Sequence, residues 1–404
     1  MRRSERWSNR LKAVAIGIGL ALSALTIRHW VETFSFGHPL CEDCRPDFPQ
    51  FYAGARLVWQ SPAVLYDPTK QLEIQKSIDP RITEILPYTY PPVTALLLIP
   101  LGWLPFPSAY AAMTALNILL LVLSIRLLIT KLHLTKDQST WLILCVLCNF
   151  GVHSTLLQGQ ISLVVLLLLA IFAAVQQDRS GMGAGLAAGM VFIKPQLLVA
   201  PFLVLLGRRM WSALATASTV VIALIIVSIT TVGWVGIEQY LSLIGTYLTI
   251  ERGYGSYPEA MHNLRALAQY VVPFPWSRYF GLTLTGCVIT AAFLLNRRMH
   301  GDPRIVALQW IGNFVAGVLI TPHLYPHDLA ILIVPTAFAF KLYGADVPAR
   351  IILLLIATGI YPLLALMSAH RLPPLLPVVF LVILGLCVRS VRQSAVGLSK
   401  MPNS

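Results

Sequence analysis

Long apolar segments separated by short basic clusters make up most of this 404-residue chain. Hydrophobic residues account for 56% of the sequence and charged residues for only 12%, against roughly 25% charged residues in soluble domains. This composition excludes a soluble enzyme of this length, a disordered chain and a small disulfide-framework protein. It predicts an all-α polytopic membrane protein, organised as a single integral membrane domain over residues 1–404.

A helix that crosses the membrane needs about 20 mainly apolar residues. The first candidate could instead be a signal peptide, but it lacks a small-residue cleavage site and ends in Arg28-His29-Trp30, which favours an uncleaved span. In all, about 12 spans are predicted, at 13–30, 108–129, 141–157, 161–176, 183–194, 196–207, 212–232, 277–295, 304–321, 329–342, 350–367 and 373–389.

The net charge of +13 could indicate a nucleic-acid partner. Its basic residues, however, lie in short clusters between the apolar segments, which is typical of cytoplasmic loops. Both termini are then predicted to be cytoplasmic, with extracytoplasmic loops at 31–90 and 233–276 and short surface helices in the first loop. This topology requires the proline-bracketed segment 91–105 to enter the membrane or lie on it without crossing.

Residues 183–207 form either one kinked helix or a hairpin of two short helices with Lys194-Pro195-Gln196 at its turn. The hairpin keeps Arg208 and Arg209 on the cytoplasmic side and is preferred. A lysine within the bilayer costs roughly 2.5–3.5 kcal/mol, so Lys194 needs a negative partner or access to water. The partner is either an anionic ligand, such as a phosphate, or an internal carboxylate; snorkelling to the interface is the third possibility.

Several polar residues lie at predicted outer positions. Asp47 is a candidate general base because partial burial would raise its pKa, although it could equally be the N-cap of a helix starting near Pro49. The amides of Gln158 and Gln160 could bind sugar hydroxyls or cap a tight turn. Arg265 could bind a phosphate through two parallel hydrogen bonds, in bidentate geometry, or it could pair with a nearby glutamate.

His323 and His327 flank a proline-rich turn and are candidates for phosphate contacts or for a structural role. We predict no metal site, because Pro326 breaks the helix that would align them and no HExxH pattern accompanies them. The sequence has no nucleotide-binding glycine pattern, so no cofactor is expected. Cys41 and Cys44 are predicted to form a local disulfide, since zinc would need two further ligands.

The order and spacing of several motifs over about 40–340 resemble glycosyltransferase family 87, the polyprenyl-phosphate-mannose-dependent alpha-1,2-mannosyltransferase-like proteins of the GT-C superfamily. The motifs are Asp47-Phe48 with Phe51-Tyr52-Ala53, Leu65-Tyr66-Asp67-Pro68, Tyr88-Thr89-Tyr90-Pro91-Pro92, Gln158-Gly159-Gln160, Gly185-Leu186-Ala187-Ala188, Lys194-Pro195-Gln196 and Arg208-Arg209-Met210-Trp211.

This resemblance implies a GT-C-like bundle that transfers a hexose, with mannose taken from the family name, from a polyprenyl-phosphate donor to an acceptor hydroxyl with inversion. The expected partners are a lipid-linked sugar, a glycan or glycolipid acceptor and membrane lipid, at the outer face of the cell membrane. Asp47 would be the base. Lys194, His327, His323 and Arg265 would bind the donor phosphate, and the sugar or acceptor would be bound by Tyr52, Tyr90, Gln158, Gln160 and Asn263.

Two other functions remain open from the sequence: a secondary transporter and a non-catalytic lipid-binding membrane protein. The sequence shows no internal repeat. Its polar candidates also collect at the outer ends of the spans, whereas transporters bind their substrates near the midplane. Both observations favour the enzyme.

Overall fold

The computed structural model describes residues 2–35, 47–177, 181–249, 257–297, 302–344 and 374–398. The predicted span at 350–367 and the Cys41–Cys44 pair lie outside these ranges. The regular structure within them is helical, and the α-helices are α1 (Arg2–Ser35), α2 (Phe48–Gln60), α3 (Pro68–Ile78), α4 (Pro92–Gly102), α5 (Phe106–Lys131), α6 (Lys136–Leu147), α7 (Phe150–Gln158), α8 (Ser162–Gln177), α9 (Gly181–Met190), α10 (Val199–Gly207), α11 (Trp211–Thr249), α12 (Leu264–Val271), α13 (Trp276–Asn296), α14 (Pro303–Ile320), α15 (Ile333–Tyr343) and α16 (Leu375–Leu398).

Six of the described helices, α1, α5, α11, α13, α14 and α16, are long and apolar enough to cross a membrane. A seventh span results if α6 and α7, which are bent by 48° at the break between them, are counted as one. The chain is therefore a multi-pass membrane protein. The predicted figure of about 12 spans is not reached in the described residues, because several predicted spans form helices that are too short to cross alone, namely α8, α9, α10 and α15.

The first part of the second predicted outer loop is helical. Helix α11 continues to Thr249, beyond the predicted end of its span at 232. Gly233, with φ of 70° and ψ of 179°, marks a kink there, and this left-handed φ is open to glycine at little cost. Hydropathy located the apolar part of the helix, but it did not reveal that the helix continues after the kink.

Helix α4 occupies the segment that was expected not to cross. Its 11 residues measure about 16 Å, which is half of the hydrocarbon thickness. It packs along α2, and Gly102 lies against the backbone of Ala55. At its other end, the Thr94 hydroxyl donates to the carbonyl of Ile193 at 2.7 Å, so α4 reaches the turn that carries Lys194.

Helices α9 and α10 leave one end of the bundle and return to it. Gly181, at the start of α9, lies beside Ser212 in the first turn of α11. Gln176, at the end of α8, contacts the sulfur of Met210, which follows α10. Because both ends of the pair lie at this level, the chain must reverse between them, and Lys194 is at the reversal.

The basic clusters and the candidate site residues lie at opposite ends of the bundle. At one end, Lys12 pairs with Asp137 at 3.1 Å. There too, Lys341 donates to the carbonyl of His133. Helix α8, whose 16 residues measure about 24 Å, leads from this end to Ser162 beside the candidate site. Which end faces the cytoplasm stays a prediction from the distribution of basic residues.

An aromatic cluster fixes the start of α2, directly after Asp47. The ring of Phe48 stacks on that of Tyr110 with 5.3 Å between centroids. Phe51 packs against Tyr90 at 4.7 Å. These rings are buried, and aromatic pairs at such distances stabilise beyond the area that they bury. The cluster therefore holds the Asp47 backbone against the rest of the bundle.

The packing of α9 on α11 gives a stability prediction. In Gly185→Ala, the new methyl group would meet the carbonyl oxygen of Ala213 and lie 2.6 Å from Thr216 Cβ. We expect a loss of about 1–3 kcal/mol, measured as a lower thermal unfolding midpoint in detergent. Gly286→Ala in α13 is the control, because no atom lies within 4 Å of its added Cβ. Equal midpoints for the two variants would contradict this packing.

Candidate active site

Asp47 does not cap helix α2. Its backbone is helical, with φ of −76° and ψ of −12°, and its side chain makes no capping hydrogen bond. The carboxylate instead accepts a hydrogen bond at Oδ2 from Nε2 of Gln160 at 2.6 Å. The side chain is 23% exposed, so it is shielded but reachable. The N-cap alternative is wrong, and the position suits a group that must exchange a proton with a ligand.

The Gln158-Gly159-Gln160 segment forms a tight turn between α7 and α8. Gly159 ends α7 in the left-handed conformation, with φ of 61°, and a Cβ there would collide with Phe48. The turn aims Gln160 toward Asp47. The side chain of Gln158 contacts His327, with 2.6 Å between Oε1 of Gln158 and Nδ1 of His327.

Lys194 is fully buried and forms an ion pair with Asp328, with 2.6 Å between Nζ and Oδ1. Its ammonium also donates to Ser162 Oγ at 2.9 Å and to Gln160 Oε1 at 3.2 Å. An ammonium has three donors, and these contacts use all of them. The predicted direct contact between Lys194 and a donor phosphate is therefore not what the structure shows; the alternative, an internal ion pair, is.

Sequence reasoning did not select Asp328 or Ser162 as site residues. Burying a lysine without a carboxylate partner is costly, so an acidic residue at the end of an apolar segment was the available signal. Asp328 is that residue, next to His327. Ser162 carried no such signal, because a hydroxyl at the start of a helix is common.

His327 is buried between the two carboxylates. Its Nδ1 lies 4.0 Å from Asp47 Oδ2, and its Nε2 lies 3.6 Å from Asp328 Oδ2. Burial lowers the pKa of His327 to about 3, and the imidazole is therefore neutral at physiological pH. Burial, followed by the nearby guanidinium of Arg265, lowers the pKa of His323 to about 4.

The pKa values of Asp47 and Asp328 are shifted in opposite directions. Burial raises the pKa of Asp47, although the Gln160 hydrogen bond and the Lys194 charge oppose this. Burial is the largest single influence on Asp328 and would raise its pKa, but the attraction of Lys194 together with the smaller effects of His327 and of the hydrogen bonds with Lys194 and Ser162 outweighs it, and this pKa falls below its ordinary value. Pairs of titratable groups whose pKa values are shifted apart by their surroundings are characteristic of active sites that use one group as an acid or base.

A cavity of about 360 Å³ joins these groups and falls within the size range of small-molecule sites, ~300–1,000 Å³. Of the predicted site residues, five line it: Asp47, Tyr90, Gln160, His323 and His327. Its remaining polar and aromatic lining includes Asp328, Gln196, Tyr240, Tyr247 and Tyr325. The cavity therefore offers one carboxylate with an open oxygen, two imidazoles and several aromatic faces to a ligand.

Besides Lys194, four predicted residues lie outside the lining of this cavity. Tyr52 and Asn263 are buried and use their polar atoms within the fold: the Tyr52 hydroxyl donates to the carbonyl of Leu104, and Asn263 caps α12 and donates to the carbonyl of Thr321. Neither lines the cavity, which corrects the prediction that they contact the sugar or acceptor. Gln158 reaches the cavity only through His327.

Arg265 is the fourth. It lines a neighbouring cavity of about 360 Å³ together with Arg278, and this cavity shares Leu248 and Pro322 with the first. Its Nη1 donates to the carbonyl of Tyr247 at 3.2 Å. Arg265 is therefore placed beside the Asp47 cavity, not inside it.

The part of the chain that the structure describes contains no group of three or more His, Cys, Asp or Glu side chains arranged to hold a metal ion.

The profile of glycosyltransferase family 87 matches residues 88–322, more than half of the chain. The protein belongs to glycosyltransferase family 87. The predicted resemblance is thereby confirmed. The matched region contains Tyr90, Gln160 and Lys194, whereas Asp47 and His327 lie outside it.

Curated proteins from Corynebacterium and Mycolicibacterium are similar to this family 87 member. An alpha-(1->3)-arabinofuranosyltransferase of Corynebacterium glutamicum is 28% identical over 275 residues, covering 66% of this chain and 62% of the relative. Two Mycolicibacterium smegmatis proteins follow. A polyprenol-phosphate-mannose-dependent alpha-(1-2)-phosphatidylinositol mannoside mannosyltransferase is 31% identical over 196 residues (44% of this chain, 42% of the relative). Its pentamannoside counterpart is 32% identical over 166 residues (40% and 39%).

Each alignment therefore spans less than two thirds of the relative's length. No solved structure matches the chain.

The buried ion pair of this family 87 protein gives the next prediction. Asp328→Asn leaves the Lys194 ammonium without a charged partner, and we expect a loss of about 3–5 kcal/mol, measured by thermal unfolding in detergent. The double variant Lys194→Met/Asp328→Leu should recover much of this loss. Glu73→Gln, which breaks the exposed Lys70–Glu73 pair, is the control and should change the midpoint little. A double variant less stable than Asp328→Asn would argue against the pair.

Proposed function

We propose that this protein is a membrane glycosyltransferase that transfers a hexose from a polyprenyl-phosphate donor to an acceptor hydroxyl. The observation that carries the proposal is the Asp47 carboxylate. It is partly desolvated, it is held by Gln160 through one oxygen, and it lines the cavity described above in a chain of glycosyltransferase family 87. This is the placement that a general base requires.

The proposed reaction is a single displacement. The acceptor oxygen attacks the anomeric carbon, its proton passes to Asp47, and the bond from that carbon to the phosphate oxygen breaks. The products are the glycosylated acceptor, with inverted anomeric configuration, and polyprenyl phosphate. A positioned base contributes typically 10²–10⁴-fold to such a rate.

The leaving phosphate must be stabilised without Lys194, whose donors are used by Asp328, Ser162 and Gln160. We assign this role to His327 and His323 in the cavity and to Arg265 beside it. The two imidazoles are neutral at physiological pH, so each has a single N–H. His323 would act through its N–H, and the N–H of His327 would have to leave Oε1 of Gln158 to reach a phosphate, whereas Arg265 supplies positive charge. The apolar side chains around Arg265, among them Leu282 and Leu319, suit the adjoining part of the lipid chain.

The sugar is proposed to lie between Tyr90 and Gln160 on one side and the histidines on the other. Mannose is proposed because two relatives are named as mannosyltransferases, and a third relative is named for arabinofuranose. The acceptor is proposed to be a glycan or glycolipid, by analogy with the phosphatidylinositol mannosides in those names. We place the reaction at the extracytoplasmic face of the cell membrane, with both termini cytoplasmic and without a cofactor.

The test uses purified protein in sealed proteoliposomes with radiolabelled polyprenyl-phosphate mannose and, in a second arm, polyprenyl-phosphate arabinose. Label transferred to an added glycolipid supports the glycosyltransferase and identifies the donor sugar. Label taken up into the vesicles without transfer would support a secondary transporter. Bound donor with neither transfer nor uptake would support a lipid-binding protein.

Asp47→Asn is expected to lower transfer at least 10²-fold while the protein still inserts and elutes as the native protein does, because the amide cannot accept the proton. Asp67→Asn is the matched control: Asp67 caps α3 from a position outside the cavity, and asparagine caps helices equally well. Transfer retained in Asp47→Asn would remove Asp47 from the mechanism.

The pH dependence follows from the raised pKa of Asp47. The base must be ionised, so kcat/KM should fall as the pH decreases through that raised pKa and level off above it. His327, with a pKa of about 3, should not contribute to this limb. A profile that stays flat down to the ordinary aspartate pKa of about 3.9 would contradict the assignment.

A further inference from the structure

We infer that Lys194 is a positioning residue for the base, acting through Gln160 to fix which oxygen of Asp47 faces the acceptor. The inference rests on the proposed function of Asp47. It assigns to Lys194 a role that needs no contact with substrate, in agreement with its complete burial.

The first step concerns the side-chain amide of Gln160. One end of the amide donates and the other accepts, and the two ends exchange on rotation by 180°. An ammonium can only donate, so the end that faces Lys194 Nζ at 3.2 Å must be Oε1. The Tyr90 hydroxyl donates to the same oxygen at 3.0 Å, but a hydroxyl can also accept and therefore cannot set the orientation alone.

The second step transfers this orientation to Asp47. Because Oε1 is directed at Lys194, the amide NH₂ must face Asp47, where it donates to Oδ2 at 2.6 Å. This bond occupies Oδ2. Within the described residues Oδ1 accepts no hydrogen bond. The Asp47 side chain is partly exposed and lines the cavity, so Oδ1 is the oxygen available to a ligand there. Oδ1 is thus the oxygen that takes the acceptor proton.

The third step explains why Lys194 itself is fixed. Asp328 and Ser162 hold its other two donors at 2.6 and 2.9 Å, and Ser162 also donates to Asp328 at 3.1 Å. Lys194 and Asp328 neutralise each other, so the site gains an oriented amide without a free positive charge.

Gln160→Glu is the principal test. The new carboxylate would pair with Lys194 and place a second negative charge against Asp47, so the acidic limb of kcat/KM should move to higher pH by about 1–3 units. The charged and titratable groups that face Asp47 are Lys194, Asp328, His327, Tyr90 and Tyr247. Gln160→Glu leaves all of them in place.

Lys194→Gln is the second variant. A glutamine can present either end of its own amide, so Gln160 loses its imposed orientation. The acidic limb of kcat/KM should therefore again move to higher pH, and kcat should fall by a larger factor than KM changes. Ser162→Ala is the matched control, because it removes another acceptor of Lys194 but not the bond to Gln160. Its acidic limb should stay in place.

Unchanged acidic limbs in Gln160→Glu and Lys194→Gln would overturn the inference, as would an equal shift in Ser162→Ala. If Lys194→Gln fails to fold, the double variant Lys194→Met/Asp328→Leu takes its place, because it also removes the donor to Oε1 of Gln160 but leaves no buried charge unpaired. The two proposals fail in different ways: transfer retained in Asp47→Asn refutes the proposed role of Asp47 as the base, whereas an inactive Asp47→Asn with unmoved acidic limbs in the other variants refutes only the role of Lys194.

Discussion

The ion pair between Lys194 and Asp328 is the contact on which the arrangement of the site depends. Both side chains are almost completely removed from solvent, with 2.6 Å between their charged atoms. Removing two charges from water is expensive, and only close geometry with additional hydrogen bonds offsets the cost. Ser162 and Gln160 supply those bonds. The pair therefore connects three parts of the chain: the reversal after α9, which carries Lys194, the start of α8, which carries Ser162, and the segment after α14, which carries Asp328. Gln160 links this group to Asp47, because it accepts from Lys194 and donates to Asp47.

This arrangement separates the roles of two carboxylates that share one cavity. Asp328 is stabilised in its charged form by Lys194, and it serves to hold the lysine. Asp47 has no ion pair of its own among the described residues, and burial raises its pKa. One acid is thus structural and the other is left for proton transfer, as in other sites where environment divides two similar groups. Recognition of a phosphate then falls to His323, His327 and Arg265.

The sequence identifies several residues of the site, but for some of them it allows two roles, and only their contacts in the folded protein decide between these roles. Hydropathy indicated that Lys194 needs a negative partner, but not whether that partner is a ligand or Asp328. Asp47 was read as a base or an N-cap, and its helical backbone and its bond to Gln160 exclude the cap. The predicted binding residues Tyr52 and Asn263 are used inside the fold, because buried polar groups first satisfy each other.

The sequence by itself determined the all-helical membrane character, the family and five of the residues that line the cavity, because hydropathy, charge and ordered motifs are properties of the chain. The tertiary structure decided which helices are too short to cross alone, where the chain reverses at Lys194 and which polar atoms remain available to a ligand. Those outcomes depend on partners far apart in the sequence. A local pattern records that a buried charge must be matched, but only the packed bundle selects the group that matches it.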